Sequence, residues 1–428
     1  MCFQKVVRVL DCKFWVQDSA RPSVRKSGDV ENSGTNRHNF TCDLTTVLPS
    51  NTGFPTFSRT EFAQAVPTTM RTRTQTIIRF LLALLLLYLF LVSIGMIGHG
   101  FKLFGKGFAD ALLKTTADPL IALFIGILAT ALVQSSSTTT SIIVGLVGSG
   151  AMSVAAAVPM VMGANVGTTI TNLIVSVGHI GRPHEFRRAF SAAIVHDFFN
   201  IIAVTILFPV EQLTGVLTWI AHASEEVFQG LGGITFVSPV KVVTKWAVEL
   251  LSALCQEQPW VIMVVALFIL FFSLTMMVKL LRKLVLGPIE GLFSRTVFKT
   301  APRALLLGLI VTVGVQSSSV STSVIVPLVA AGLLTVEQIF PYTLGANVGT
   351  TVTALLASMA IANPAAITVA MVHLWFNIMG IAVIWPIRRL PIGLAHKLAE
   401  MTLKNRLLPI VYILGVFFGV PLLIYWLR

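Results

Sequence analysis

Two stretches of this chain repeat one another, and what they repeat is polar. Gln134-Ser135-Ser136-Ser137 recurs as Gln316-Ser317-Ser318-Ser319, and each copy is followed at the same distance by Gly-Ala-Asn-Val-Gly-Thr-Thr, at 163–169 and 345–351. Laid over one another without a gap, 134–169 and 316–351 agree at 20 of 36 positions. Shared hydrophobicity does not produce that agreement, so the chain is internally duplicated and its fold must accommodate two copies of one unit. Amides and hydroxyls in apolar surroundings need partners, which makes the repeated positions the first candidates for function.

The surroundings identify the solvent. Charged residues make up 11% of the chain and hydrophobic ones 55%, with a mean hydropathy of +0.84, whereas a soluble domain carries about 25% charged residues. These values predict an all-α polytopic membrane protein with lipid as its main partner. A net charge of +13 raises the question of nucleic acid. The basic residues, however, gather between apolar segments, at Arg182/Arg187/Arg188, from Lys279 to Arg303 and from Arg388 to Arg406, as charges flanking membrane spans do. No nucleic-acid partner is expected. Cys2, Cys12, Cys42 and Cys255 offer neither a disulfide framework nor a Cys/His metal spacing. No nucleophile–base–orienter set emerges either, so neither an enzyme nor a bound cofactor is expected.

Residues 1–75 are rich in Thr, Ser, Asn, Arg and Pro, carry ten basic against six acidic residues and show no sustained period. That composition predicts disorder. Asn39-Phe40-Thr41 matches a glycosylation acceptor, which the topology below leaves unused on the cytoplasmic side. The stretch Ile77–Ile97 has the length of a retained spanning helix. Further apolar segments follow at 119–148, 151–178, 189–213, 260–281, 304–333, 340–362, 366–387 and 408–427. The expected organisation is a first helix and first repeat over 76–213, a mixed connection over 214–258, a linking helix and second repeat over 259–390, and a C-terminal region with a final spanning helix over 391–428.

In each repeat the Gln-Ser-Ser-Ser cluster separates two apolar arms, such as Pro119–Val133 or Ala304–Val315 before it, and a stretch ending in Gly148-Ser149-Gly150 or Ala330-Ala331-Gly332 after it. An arm falls short of the roughly 20 residues a spanning helix needs, so a re-entrant or broken helical hairpin with its polar turn near mid-membrane is expected. Charge placement tests this. With Arg71, Arg73 and Arg79 inside and both hairpins re-entrant, Arg182, Arg187, Arg188, the basic residues from Lys279 to Arg303, and Arg388 and Arg389 all fall on the cytoplasmic side. The loop over 99–118, with Lys102, Lys106 and Lys114, lies outside and is the exception. The two repeats then enter from opposite faces, the inverted-topology architecture of alternating-access transporters.

On a helix, Gln134, Ser137/Thr138 and Ser141 recur at three- and four-residue steps, as do Gln316, Ser319 and Ser323. At a helix break, free amides and the helix dipole favour an anion. Hydroxyls of Ser135, Ser136, Ser317 and Ser318 add donors, while their lone pairs suit a cation. A small oxyanion and Na⁺ can share such a site without a permanent protein charge. For Thr138–Thr140 and Ser321–Ser323, bonding to a carbonyl of the preceding turn is an equal alternative. Asn165 and Asn347 suit either ligand contact or the capping and close packing of a helix break near Pro159 and Pro341, and Thr168, Thr169, Thr350 and Thr351 are divided in the same way. A third pair, His196–Asn200 and His373–Asn377, is offset by 177 instead of 182 residues. Hydrogen bonding between His and Asn at i,i+4 is the expected role. Asp197 has Leu374 as its counterpart, and a carboxylate in an apolar segment is a candidate for function.

These signatures, together with Glu185-Phe186-Arg187-Arg188-Ala189-Phe190 leading into His196–Asn200, resemble the type II family of sodium-dependent phosphate cotransporters and their bacterial relatives over roughly 77–390. The resemblance implies a symporter of inorganic phosphate and Na⁺ in the plasma membrane, with substrate and cation sites at Gln134–Ser137 and Gln316–Ser319. The wider candidate set is Thr138, Asn165, Thr168, Thr169, Ser321, Asn347, Thr350 and Thr351. Na⁺ candidates are Gln134, Ser135, Ser136, Gln316, Ser317, Ser318 and Thr350, with Asp197, Asn200 and Asn377 as accessories. A symporter of another oxyanion such as sulfate, and a passive anion channel, are the alternatives. The connection over 214–258 lacks the cysteine-rich loop of the animal transporters, and residues 1–75 match nothing in the family. Neither departure touches the repeats. The sequence does not speak to oligomeric state.

Overall fold

A computed structural model describes residues 68–230, 239–289, 297–361 and 363–427. The expectations for residues 1–67, including disorder, Asn39 and three of the cysteines, lie outside these residues. Among the described residues every regular element is helical, and seven helices are long and apolar enough to cross a membrane. They are α1 (Thr68–Phe104), the pair α5 (Val154–Gly167) and α6 (Ile170–Val177) counted as one span, α7 (Pro183–Thr214), α10 (Pro259–Ile289), α14 (Val336–Ile361), α15 (Pro364–Ile384) and the C-terminal span. That last span comprises α17 (Leu408–Leu414), a π turn over Gly415–Gly419 and α18 (Val420–Leu427). The chain is thus a multi-pass, all-α membrane protein. Helix α1 starts right after Pro67, inside the region expected to be disordered to residue 75.

Between the spans lie the arms of the repeats, α3 (Pro119–Val133) and α4 (Ser136–Ser149), then α11 (Ala301–Val315), α12 (Ser318–Ser323) and α13 (Ile325–Ala330). Asp118 starts α3 as N-cap, its Oδ1 accepting from Leu120 N at 2.8 Å and Ile121 N at 3.2 Å, with Pro119 in the first turn where its missing N–H is harmless. The second arms differ through one residue. Gly145 lets α4 run unbroken, whereas its counterpart Pro327 lacks the N–H that the turn before it needs, and the helix is interrupted at Val324.

Three glycines in each repeat hold the first arm against the helix that follows. A Cβ at Gly126, Gly163 or Gly167 would come within 2.2, 2.0 and 2.6 Å of the Met160, Leu123 and Ile127 carbonyl oxygens. In the second repeat a Cβ at Gly308 or Gly345 would lie 2.0 and 1.9 Å from the Tyr342 and Leu305 carbonyl oxygens, and one at Gly349 would lie 2.7 Å from Thr312 Cβ. The spacing of four between Gly163 and Gly167, and between Gly345 and Gly349, is the small-xxx-small pattern by which helices approach closely in lipid.

The hairpins open toward opposite ends of α14, a helix of 26 residues and so about 39 Å long at roughly 1.5 Å per residue. At its C-terminal end Asn363 Nδ2 donates to the Gly148 carbonyl at 2.9 Å, and Gly98, His99, Gly148, Glu249 and Ile361 line one cavity. Beyond its N-terminal end Arg188 Nε donates to the Ala330 carbonyl at 2.8 Å, and Arg187, Arg188, Gly332, Glu337 and His396 line another.

Four further amphipathic helices complete the fold: α2 (Lys106–Thr115), which with the end of α1 makes most of the stretch 99–118 helical where a loop was expected, α8 (Val216–Gly230) and α9 (Pro239–Leu254) in the connection, and α16 (Arg389–Lys404) after α15. Helix α16 escaped the reading of apolar runs because its periodicity is diluted by Arg389, His396, Lys397, Glu400 and Lys404.

Candidate functional site

Both hairpins break at the same residue of the repeat. Gln134 and Gln316 adopt left-handed backbone angles, φ 56° and 57°, and their N–H groups close the first arm on the Thr130 and Thr312 carbonyls, each at 2.7 Å. A non-glycine residue in this region costs on the order of 1–3 kcal/mol and persists where the surroundings impose it. The following serine turns extended, φ −151° at Ser135 and −155° at Ser317, and caps the second arm. Ser135 Oγ accepts from Thr138 N at 3.2 Å and Thr138 Oγ1 at 2.9 Å, and Ser317 Oγ accepts from Val320 N at 3.3 Å. The Gln-Ser-Ser-Ser phrase thus encodes the break as well as the polar lining.

The two tips meet. Ser137 Oγ donates to the Gln316 carbonyl at 3.4 Å, across the two repeats. Ser136, Ser137, Ser318 and Ser319 are buried, and the Ser136 and Ser318 hydroxyls have no protein partner among the described residues. No Asp, Glu, Lys, Arg or His lies within 134–141 or 316–323. The tips therefore present hydroxyls, carbonyls and the leading amides of α4, a neutral set able to give hydrogen bonds to an anion and oxygen lone pairs to a cation.

Local bonding absorbs several other candidates. Ser141 donates to the Ser137 carbonyl at 2.7 Å, Thr168 to Ala164 at 2.9 Å, Thr350 to Ala346 at 3.1 Å and Thr351 to Val348 at 2.7 Å. Ser321 Oγ lies 2.7 Å from Tyr342 OH. Asn165 Nδ2 donates within its own helix to Val161 O at 2.9 Å. The two glutamines differ. Gln316 is buried, giving Nε2 to Val313 O at 2.6 Å and taking Thr353 Oγ1 on Oε1 at 2.9 Å, whereas Gln134 is exposed.

Beside the tips runs a buried polar network. His196 Nε2 lies 2.6 Å from Asn347 Oδ1, Asn347 Nδ2 donates to Asn200 Oδ1 at 2.8 Å, and Asn200 Nδ2 donates to the Asn165 carbonyl at 2.8 Å. His196 thus bonds across the repeats rather than to Asn200 in its own helix, because i,i+4 neighbours on α7 both face the same partner, α14. On the other side, Asn377 Nδ2 donates to the His373 carbonyl at 2.9 Å. Asp197 accepts from Thr169 Oγ1 at 2.6 Å and from Tyr412 OH at 2.5 Å, tying the Gly-Thr-Thr end of the first repeat to the C-terminal span.

Sequence reasoning missed Asn172, joined across the repeats to Thr322 at 2.8 Å, and also Tyr412, Thr171 and Thr353. A signal existed for the last two. They share the 182-residue offset of the repeat, two positions beyond the Thr-Thr pair.

The family model described as Na+/Pi-cotransporter matches residues 89–236 and 269–395, and so covers both tips and both partner helices. Sodium-dependent phosphate transport protein 2B of Homo sapiens is 32% identical over 448 residues, covering 82% of this chain and 65% of that protein. Sodium-dependent phosphate transport protein 2A of Rattus norvegicus is 32% identical over 419 residues, covering 79% of this chain and 66% of that protein. The chain thus spans just under two thirds of the length of these relatives. No solved structure matches it. With both repeats and the helices that hold them inside the match, the chain belongs to the Na+/Pi-cotransporter family.

Proposed function

We propose that this chain is a sodium-coupled symporter that imports inorganic phosphate across the plasma membrane by alternating access, with phosphate and Na⁺ held between the two hairpin tips. The observation that carries the reading is the meeting of the tips, Ser137 Oγ on the Gln316 carbonyl, in a buried set of hydroxyls without a fixed charge. A phosphate dianion brought there alone would pay a large desolvation cost, and Na⁺ on the neighbouring carbonyl and hydroxyl oxygens offsets it. Cation and anion then each make the site better for the other, which is the physical basis of coupling. The relatives' names, sodium-dependent phosphate transport protein, agree with that pairing.

In this reading Ser136, Ser137, Ser318 and Ser319 donate to phosphate oxygens. Gln134, Ser135, Gln316, Ser317 and Thr350 offer oxygens to Na⁺, and Asn165, Thr168, Thr169, Asn347 and Thr351 hold the break against its neighbours. Asp197, Asn200 and Asn377 position these elements from α7 and α15. The hairpins open toward opposite ends of α14, as inverted repeats do, and Arg182, Arg187, Arg188, Arg388 and Arg389 lie on the side the positive-inside bias makes cytoplasmic. Uptake of labelled phosphate into proteoliposomes, with unlabelled phosphate or sulfate as competitor, tests the substrate. Inhibition by phosphate and not by sulfate is expected, and equal inhibition by both would contradict the assignment.

A further inference from the structure

The two repeats share a sequence but not a bonding state. In one half His196, Asn347 and Asn200 form the chain described above, ending on the Asn165 carbonyl. Replacing each residue by its repeat mate gives His373 on Asn165, Asn165 on Asn377, and Asn377 on the Asn347 carbonyl. None of these three bonds is made. Asn165 and Asn377 instead fall back on carbonyls four residues earlier in their own helices, Val161 and His373, each at 2.9 Å. Both ring nitrogens of His373 and Oδ1 of Asn377 are buried without a partner.

The tips repeat the asymmetry. Gln316 Oε1 takes the Thr353 hydroxyl at 2.9 Å, whereas its mate Gln134 is exposed and the mate of Thr353, Thr171, buries an unpartnered hydroxyl. Buried polar atoms without partners are rare and costly. Among the described residues seven side-chain atoms are in that condition, and four of them belong to His373, Asn377 and Thr171. They are the mates of residues that are bonded in the other half.

We propose that these residues form an exchange switch. In the conformation that opens to the opposite membrane face, the His196–Asn347–Asn200 and Gln316–Thr353 bonds break and their mates, His373–Asn165–Asn377 and Gln134–Thr171, close. The inference rests on the alternating-access reading and says which bonds change hands in it. Each conformation then satisfies one network and orphans the other, so the two stay close in free energy and bound ions decide between them. The bonds of two residues have no mate. Asp197, which accepts from Thr169 and Tyr412, corresponds to Leu374, and Asn172, bonded to Thr322, corresponds to Ala354. Both favour the conformation seen here, which is therefore the resting one.

Distances between spin labels test the switch. One pair is placed at Gly181 and Leu333 in a Cys255→Ser background and the other at Ser149 and Cys255, with Cys2, Cys12 and Cys42 replaced by Ser in both. His373→Phe removes only atoms that are unpartnered here, so it enriches the present distances about tenfold over the alternative, while His196→Phe shifts the ratio the opposite way by a similar factor. His373→Gln, which keeps a polar side chain able to reach Asn165, restores part of the lost population. The near-isosteric pair Thr171→Val and Thr353→Val gives the same opposed signs should an imidazole variant fail to fold. Shifts of the same sign, or none, in variants whose distances still respond to Na⁺ and inorganic phosphate would overturn the switch alone. Wild-type distances indifferent to both ions would overturn alternating access and the switch with it.

Discussion

Ser137 in one hairpin tip gives its hydroxyl hydrogen to the backbone carbonyl of Gln316 in the other, 3.4 Å away, so residues from the two repeats close on a single place. At that place the neighbouring Ser136 and Ser318 are buried residues whose hydroxyls have no protein partner among the described residues. A hydrogen bond to a charged group is worth about 1.5–3 kcal/mol, or roughly 10- to 150-fold in binding. Ser136→Ala and Ser318→Ala are each expected to raise the KM for phosphate by at least about tenfold while leaving the folded yield unchanged. Transport kinetics beside size-exclusion profiles check this.

The glycines of the repeated motif are expected to answer to packing and not to ligand. Gly163→Ala and Gly345→Ala drive a Cβ to within 2.0 and 1.9 Å of backbone carbonyl oxygens that cannot yield. Each is expected to cost about 1–3 kcal/mol or more and to lower the thermal unfolding midpoint in detergent. Gly98→Ala, which meets nothing within 4 Å, serves as the control with no change.

Impermeant thiol reagents check the orientation of the repeats. With Cys2, Cys12 and Cys42 replaced by Ser, Cys255 is expected to react from outside the cell, whereas Gly181→Cys and Leu333→Cys in a Cys255→Ser background react only after the membrane is opened. Labelling of Cys255 and Gly181→Cys from the same side would contradict inverted repeats.

Among the described residues Tyr412 and Thr169 are the side-chain donors to the Asp197 carboxylate. Tyr412→Phe is expected to destabilise the protein by about 1.5–3 kcal/mol. Asp197→Leu, which copies the second repeat, is expected to be milder than Asp197→Ala because it refills the space as well as removing the buried charge. Thermal unfolding of the three variants gives the order.

The helical class and the broken arms were legible in the sequence because apolar length and the interruption at Gln134 and Gln316 are local properties. The tie between Ser137 and Gln316 was not, since it depends on how two distant hairpins pack. The roles of the asparagines were equally hidden. Asn347 and Asn165 occupy the same repeat position, yet one joins a network across the repeats and the other turns back on its own helix. A duplicated sequence describes the average of two halves, and a transporter conformation is the departure from that average. Helix α16 illustrates a second limit, for an amphipathic surface helix carries no long apolar run to mark it.

The central claim is that phosphate movement is driven by Na⁺ through the paired tips. Its most direct test is labelled phosphate uptake into proteoliposomes under an inward Na⁺ gradient, compared with the same gradient of choline. The account predicts saturable, concentrative uptake with Na⁺, none with choline, and none with Na⁺ when Ser136 and Ser318 are both replaced by Ala. Uptake that proceeds equally in choline would contradict it.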